Sequence, residues 1–307
     1  MTDLVIRPLR AGEEELFLSM PAEPLVGVAI TGRDYRQLAE LGQYRPEWTW
    51  VALRGDRVVA RAAWWAGPDD DEPMALDWFD VDEAEAGLGT GAALLRAAGF
   101  GAELVLLLPP GWRDRPAVRD AAEARIAAAR DAGMRPFVER YHYTWTPAAG
   151  LPERPGRLEL RPAPDDDEVL AALRGVNDGT LDAYTLHDLE EHGAEGAARE
   201  GLEELKWYPA PREWWRLAYT PAGELAGITV ITVPSRNHAS FVIGFVGVVA
   251  GQRGHGYGYD LLVEAAHRLV AEGATEIRAD TDVGNHPMAA AFARAGWPVT
   301  QQRVVMR

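Results

Sequence analysis

The sequence predicts an α/β (α+β) protein built from two tandem copies of one domain, each with a mixed, mostly antiparallel sheet flanked by helices. Three observations support this prediction: the chain length, segments that recur in the two halves, and the order of strands and helices. At 307 residues the chain is longer than one hydrophobic core usually serves, so two domains of about 150 residues each are expected.

Segments of the two halves resemble one another in the same order. The pairs are 4–8 (LVIRP) with 158–162 (LELRP), 47–52 (EWTWVA) with 213–218 (EWWRLA), and 81–91 (VDEAEAGLGTG) with 248–258 (VVAGQRGHGYG). The second and third pairs are offset by 166 and 167 residues (213 minus 47, and 248 minus 81), which chance explains poorly. Because the intervening stretch is rich in proline and glycine, we expect a first domain at 1–147, a linker at 148–156 and a second domain at 157–307.

The second copy shows strand and helix patterns in a regular order. Short apolar and β-branched runs predict strands at 158–160, 215–220, 225–233, 241–249, 276–281 and 299–306. Apolar residues at helical spacing predict helices at 166–177, 186–205, 258–272 and 287–295, and at 118–132 in the first copy. This order indicates a sheet with helices on its faces.

The composition excludes several classes of protein. Hydrophobic residues make up 47% of the chain, and 31 Lys plus Arg against 47 Asp plus Glu give a net charge of −16. This charge disfavours binding to nucleic acid and to anionic lipid and suits a cationic or amine-bearing substrate, although acidic charge also simply maintains solubility. With no cysteine, no long apolar run and no signal-like N-terminus, we expect a cytoplasmic protein without disulfides or a membrane span.

A glycine-rich loop in the second copy is the segment that indicates chemistry. The predicted strand 241–249 leads into 250–258 (AGQRGHGYG) and then into a long amphipathic helix. Backbone N–H groups in such a loop can surround an anion, and the helix dipole adds positive potential there. The spacing fits neither the dinucleotide fingerprint nor a Walker loop. A glycine-rich turn without a ligand is the alternative.

The residues 253–258 (RGHGYG) resemble the R/Q-x-x-G-x-G/A signature of the GNAT superfamily of N-acetyltransferases. The resemblance implies that loop amides hold the pyrophosphate of acetyl-CoA, the co-substrate, and that the end of the preceding strand pairs with its pantetheine arm. A second segment, 285–297 (NHPMAAAFARAGW), resembles the family pattern N-x-x-A-x-x-x-Y-x-x-x-G-F. Together these segments assign to the acetyl-CoA site Val248, Val249, Arg253, Gly254, His255, Gly256, Tyr257, Gly258, Asn285 and Phe292.

The sequence departs from the family pattern at Phe292, where many members carry a tyrosine that protonates the leaving thiolate. Phenylalanine cannot donate a proton, so another group, water or nothing takes this role. The first copy departs further, because Ala86 stands where Arg253 stands and carboxylates surround it. The layout is similar to tandem family members such as mycothiol synthases, with a degenerate first copy and the working site in the second.

Catalytic residues are less evident, because the strand 241–249 carries no carboxylate. Asp282, at the end of the next strand, is our candidate, with a helix-capping carboxylate as the alternative. Histidine is a side chain that can act as acid or base near neutral pH. A position in a surface turn is the better explanation for His238, and a backbone contribution to the loop is the better one for His255. No His, Asp or Glu cluster has the spacing of metal ligands, so no metal is expected.

The resemblance implies direct transfer of an acetyl group from acetyl-CoA to an amine of a small molecule. In this hypothesis the backbone N–H of Val248 or Val249 polarises the thioester oxygen. The alternative is an inactive acyl-CoA-binding or interaction module, which Phe292 and the degenerate first copy favour. Neither the acceptor nor the oligomeric state follows from the sequence.

Overall fold

The computed structural model describes residues 3–21, 24–85, 87–207, 210–232 and 240–307. These residues form two compact units. Unit 1 comprises Met1–Glu139 with Gln301–Arg307, and unit 2 comprises Arg140–Thr300. Within the described ranges, no helix is long and apolar enough to cross a membrane.

Strands and helices alternate along the chain. The first half contains β1 (Leu4–Pro8), α1 (Glu14–Leu18), α2 (Tyr35–Glu40), β2 (Thr49–Arg54), β3 (Arg57–Trp65), β4 (Ala75–Val81), α3 (Thr90–Ala98), β5 (Glu103–Leu108), α4 (Pro116–Asp131) and β6 (Pro136–Trp145). The second half contains β7 (Glu159–Pro162), α5 (Asp166–Asn177), α6 (Ala183–Trp207), β8 (Arg216–Tyr219), β9 (Leu225–Thr232), β10 (Phe241–Val248), α7 (Tyr257–Ala271), β11 (Ile277–Asp282), α8 (His286–Arg294) and β12 (Val299–Met306).

Each unit contains a mixed, mostly antiparallel sheet, which confirms the predicted fold class. The strand order is β1-β2-β3-β4-β5-β12 in unit 1 and β6-β11-β10-β9-β8-β7 in unit 2. The pairs β4–β5 and β10–β11 are parallel. The other pairs described within each unit are antiparallel.

The last strand of each copy lies in a different unit from the one that the domain boundaries 1–147 and 157–307 suggest. Residues 302–306 of β12 pair with 104–108 of β5 in unit 1. Residues 140–145 of β6, a strand that the sequence analysis did not predict, pair with β11 in unit 2. Alternation of apolar residues identifies a strand but not its partner, because the backbone groups that pair are the same in every strand.

Element positions agree well with the sequence-based prediction. The bounds of α5 and β12 are those predicted, and most other elements of the second copy differ by one or two residues. The helix α6 is longer than expected, and Gly193 interrupts it with φ 67° and ψ −179°. The predicted strand 225–233 ends at Thr232, and its last predicted residue lies outside the described ranges.

Helices cover both faces of the unit 2 sheet. On one face, Leu262 and Leu269 of α7 and Phe292 of α8 pack against strand residues such as Ile277. On the other face, Leu173 of α5 and residues of α6 pack against β8 and β9. We call these the α7 face and the α6 face. Any group bound at the edge of β10 therefore lies between two separate layers of helices.

The strands β9 and β10 approach closely at a pair of glycines. A Cβ atom built on Gly227 would overlap the backbone carbonyl oxygen of Gly247, and a Cβ on Gly247 would lie 2.6 Å from a Val176 side-chain carbon. Backbone atoms cannot move aside as a flexible side chain does. These glycines therefore allow β10 to lie close to both β9 and α5.

We predict that Gly227→Ala lowers the free energy of unfolding by about 1–3 kcal/mol, because the methyl group forces the two strands apart. Gly251→Ala is the control, since nothing lies within 4 Å of a Cβ at that position. Urea unfolding followed by tryptophan fluorescence measures both variants. Equal stability of the two variants would contradict the close approach.

Candidate active site

The parallel strands β10 and β11 separate soon after they meet. Among residues 240–307, they pair at Phe241 with Ile277 and at Val242 with Arg278, and no further pairs follow. The strand β10 stays paired with β9 as far as Val248, with a register shift around Gly244. One edge of β10 therefore faces a gap, where its N–H and C=O groups can pair with an extended ligand.

The amide groups at the end of β10 differ in their availability. The N–H of Val249 donates to the carbonyl of Ala226 at 3.0 Å, so of the two predicted donors, Val248 and Val249, it already has a partner in the sheet. Because successive N–H groups of a paired strand alternate in direction, the N–H of Val248 points away from β9, toward the gap. Val248 is thus the residue whose backbone N–H faces a ligand in the gap.

The glycine-rich loop joins β10 to α7. Gly254 and Gly256 have φ values of 83° and 78°, which residues with a Cβ rarely adopt. Gly256 occupies the N-cap position of α7. The first N–H groups of a helix have no partner within the helix, and the helix dipole makes this end positive. A loop with these properties can hold an anion, and binding of the acetyl-CoA pyrophosphate here remains a prediction.

The Arg253 side chain binds backbone carbonyls. Its guanidinium donates to Val176 at 2.6 Å, to Gly179 at 2.9 Å and to Val248 at 3.3 Å. Val176 lies in the last turn of α5, where a cation is favourable because the carbonyls carry negative potential. Arg253 thus ties the loop to α5 and β10, and its contact with a pyrophosphate remains a prediction.

A second arginine at the loop was missed by the sequence analysis. Arg157 donates to the carbonyl of His255 at 2.9 Å and to Asp260 at 2.7 Å. Asp260 is buried in the first turn of α7, whereas the Arg157 side chain is 46% exposed. The structure therefore places a partly exposed cation beside the start of α7. No motif signals Arg157, because it lies at the edge of the predicted linker.

The predicted residues on α8 are held by protein contacts. Asn285 caps α8, since its Oδ1 accepts a hydrogen bond from the Met288 N–H at 3.2 Å. The Phe292 ring is 2% exposed and stacks on Tyr143 with ring centroids 3.9 Å apart. Burial raises the pKa of Tyr143 to about 12. Phe292 is thus part of the core, which differs from the expected contact with the pantetheine arm.

We predict that Phe292→Ala lowers the free energy of unfolding by about 3–5 kcal/mol, because it leaves a cavity beside Tyr143. Tyr257→Ala is the control, since that ring is partly exposed and should cost much less. Denaturant unfolding of both variants measures the difference. A loss below about 1 kcal/mol for Phe292→Ala would show that its ring is not in the core.

Asp282, the predicted catalytic residue, lies on the α6 face and is 4% exposed. Its Oδ2 accepts from the N–H of Ala183, the first residue of α6, at 2.7 Å. Its Oδ1 forms an ion pair with Arg140 Nε at 3.0 Å. Burial raises the pKa of Asp282, and Arg140 opposes this effect. The Oδ2 atom is hydrogen-bonded, whereas Oδ1 has an ion-pair partner but no hydrogen bond among the described residues. Asp282 thus anchors the start of α6, and catalysis by it remains a prediction.

Neighbouring charged residues extend this network on the α6 face. His142 Nδ1 lies 2.9 Å from Asp280 Oδ1, and Arg140 lies 3.8 Å from Asp182. Arg140 and His142 belong to β6, so the sequence analysis missed them. His238 lies outside the described residues. In the part of the chain that the structure describes, no group of three His, Cys, Asp or Glu side chains could hold a metal ion.

A cavity of about 40 Å³ lies on the α6 face, between α5, α6 and β10. Its lining includes the polar residues Asn177, Thr185, Asp188 and Glu204, and Gly244 and Phe245 form its side at β10. Glu204 is exposed. Partial desolvation raises its pKa, Asp182 and Asp188 add to this shift, and Arg140 opposes it. The lining of the cavity thus includes carboxylates of α6 and residues of β10, the strand whose open edge faces the gap.

In unit 1, the equivalent gap is filled by side chains. The strands β4 and β5 pair at Ala75 and Leu76. Beyond this pair, Arg125 Nε donates to the carbonyl of Phe79 and its Nη2 to Asp80, both at 2.8 Å. Asp80 also binds the buried Arg61. Arg125 lies 167 residues before Phe292 (292 minus 125), so an internal cation occupies the groove of the first copy.

We predict that Arg125→Ala lowers the free energy of unfolding by about 3–5 kcal/mol, because it leaves a buried carboxylate short of a partner. Arg119→Ala, on the same helix, removes an exposed ion pair with Asp120 and should cost about 0–1 kcal/mol. Urea unfolding measures both. Similar losses for the two variants would contradict the role of Arg125.

Comparisons with known proteins agree with this geometry. Residues 180–297 match the model of the Acetyltransferase (GNAT) family. Among curated proteins, none matches the sequence. A GCN5-related N-acetyltransferase from Sphaerobacter thermophilus has a similar structure, with a TM-score of 0.60 and 16% identity over 100% of this chain and 96% of that one.

Two further solved structures are similar. A GCN5-related glucosamine N-acetyltransferase region of a fungal multi-domain GH3 beta-N-acetylglucosaminidase gives a TM-score of 0.57 and 15% identity, over 100% of this chain and 38% of that one. A tandem GNAT protein from the clavulanic acid biosynthesis pathway gives 0.49 and 21%, over 99% and 98%. The chain has a fold similar to that of a GCN5-related N-acetyltransferase, and its segment 180–297 matches the model of the GNAT family.

Proposed function

We propose that this protein transfers an acetyl group from acetyl-CoA to an amine of a small-molecule acceptor, with acetyl-CoA bound in unit 2. The gap between β10 and β11 is the observation that supports this function most directly. It presents an unpaired strand edge that leads into a glycine-rich loop and the positive end of α7. An extended amide chain that ends in a pyrophosphate suits this succession of groups.

The space beside β10 fits such a ligand in unit 2 and not in unit 1. A Cβ on Gly258 would meet no atom closer than 3.8 Å, whereas a Cβ on Gly91, its counterpart, would lie 2.8 Å from Val81. Unit 2 therefore leaves room between the helix and the strand. Its loop amides and Arg157 would hold phosphate oxygens, and the edge of β10 would hold the arm.

In this reaction the protein mainly has to position the acceptor nitrogen against the thioester, and proton donation to the leaving thiolate is less important. Acetyl-CoA brings an activated thioester, and a thiol with a pKa near 8.5 leaves tolerably as its thiolate. Phe292 cannot donate a proton and is buried, so transfer without a tyrosine at this position is slower but feasible. Direct attack by the acceptor nitrogen, with no covalent enzyme intermediate, is the simplest course.

An inactive acyl-CoA-binding module is the second candidate. Phe292 favours it, because a buried phenylalanine cannot donate a proton to the leaving thiolate. The two candidates share the acetyl-CoA site and differ in turnover. A cytoplasmic location remains part of the proposal, on the basis of composition.

We predict that calorimetric titration with acetyl-CoA gives one site per chain. Arg253→Glu should weaken binding at least tenfold, because a carboxylate there repels three backbone carbonyls and the pyrophosphate. Arg199→Glu, an exposed substitution on α6, is the control. Two equal sites would contradict the assignment to unit 2. Acetyl-CoA binding without acetylation of any primary amine in a panel would favour the inactive module.

A further inference from the structure

A larger cavity lies in unit 1 and has the size of a small-molecule site. Its volume is about 330 Å³, and pockets that bind small molecules typically have roughly 300–1,000 Å³. Its lining comes from β3, β4, α3, the loop between α3 and β5, and the segments that follow α4 and β12. All of these residues belong to unit 1. We call this space the unit 1 cavity.

The wall of the unit 1 cavity is mostly apolar and aromatic. Trp64, Leu76 and Leu95 line it and belong to the buried core of unit 1. Phe100 and Met134 also line it, are partly exposed and pack against that core. The rings of Trp64 and Phe100 meet edge to face, with centroids 5.0 Å apart. An apolar group that enters the cavity therefore leaves water for the surface of the core, which is favourable.

The charged residues of the lining are two arginines, Arg96 and Arg307. The Arg307 guanidinium forms an ion pair with Glu103 at 2.6 Å. Arg96 donates from Nη1 to the backbone carbonyl of Asp131 at 2.6 Å, and it has no carboxylate partner among the residues that the structure describes. A carboxylate matches the planar guanidinium group, whereas an ammonium group would be repelled. The excess of charge therefore favours an anionic ligand.

The unit 1 cavity is separate from the groove that Arg125 fills. It reaches β4 at Leu76, which is still paired with β5. Arg125 instead binds Phe79 and Asp80, beyond the last pair of these strands. None of Phe79, Asp80 and Arg125 lines the cavity. The cavity is therefore not a remnant of the groove that stays open in unit 2.

We propose that the unit 1 cavity binds a small monocarboxylic acid with an apolar body. The apolar body lies against Trp64 and Phe100, and the carboxylate pairs with Arg96. The inference does not rest on the proposed function, because the lining belongs to unit 1 and acetyl-CoA is assigned to unit 2. It gives unit 1, whose own groove is filled by side chains, a ligand of a different chemical class.

Binding of a simple acid to the full chain is the first test, with octanoate as the probe. We expect octanoate to shift the backbone amide NMR signals of Gly99 and Gly101, which line the cavity, until the site is saturated. The alcohol 1-octanol has the same chain length without the charge. It should bind about fivefold more weakly or worse, because it makes no charge-assisted contact with Arg96.

Two variants test the two halves of the site. A Cβ on Gly101 would meet no atom within 4 Å, and its φ is not positive. Gly101→Leu can therefore fill the cavity, and it should weaken octanoate binding about tenfold or more through lost burial of methylene groups. Arg96→Gln should weaken octanoate binding about fivefold or more and leave 1-octanol binding unchanged. Arg130→Gln, an exposed change of the same charge outside the lining, is the control and should bind octanoate normally.

Several results would overturn the proposal. One is the absence of saturable shifts at Gly99 and Gly101 with octanoate, and another is unchanged octanoate affinity in Gly101→Leu, with thermal unfolding showing that this variant is folded. Binding of 1-octanol as tight as that of octanoate, or equal losses for Arg96→Gln and Arg130→Gln, would also overturn it, because the carboxylate would then have no specific partner. Titration with acetyl-CoA tests the proposed function separately from all of these measurements.

Discussion

The early separation of two parallel strands is the constraint on which the rest of the site depends. Backbone N–H and C=O groups that leave a sheet require other partners when water is excluded. Unit 2 leaves the edge of β10 open next to a glycine-rich loop. Unit 1 has the same separation but satisfies its strand with Arg125, whose guanidinium binds the carbonyl of Phe79. The same strand separation thus leaves an open strand edge in unit 2 and is filled by a buried ionic cluster in unit 1.

The end of β11, the other of the two separating strands, positions the helix α6. The strand β11 ends in Asp282, which binds the first N–H of α6 and is held in turn by Arg140. Because α6 carries Asp188 and Glu204, the position of these carboxylates follows from this anchor. The buried charge is stabilised by its partners rather than by solvent, so loss of Arg140 would leave Asp282 uncompensated. The cavity on the α6 face therefore depends on Arg140 and Asp282, which do not line it.

Several site residues have contacts that their motif alone does not indicate. The signature arginine, Arg253, binds carbonyls of α5 and β10, and the signature asparagine, Asn285, caps α8. Such residues shape the loop and orient the helices. The motif residues therefore stabilise the local backbone conformation, in addition to any direct contact with a ligand. Arg157, outside the motif, also contacts this region, through the carbonyl of His255 and through Asp260.

The sequence by itself determined the repeated architecture, the bounds of α5 and β12 and the glycine-rich loop before α7. These features follow from local patterns: apolar periodicity, glycine where φ is positive, and the recurrence of segments. The tertiary structure decided the rest. It placed residues 302–306 in unit 1 and 140–145 in unit 2, buried Phe292 against Tyr143, and brought Asn177 and Glu204 to one cavity. These outcomes depend on which distant segments pair and pack, and local patterns carry no information about the partner, because backbone groups and apolar surfaces are alike in many segments.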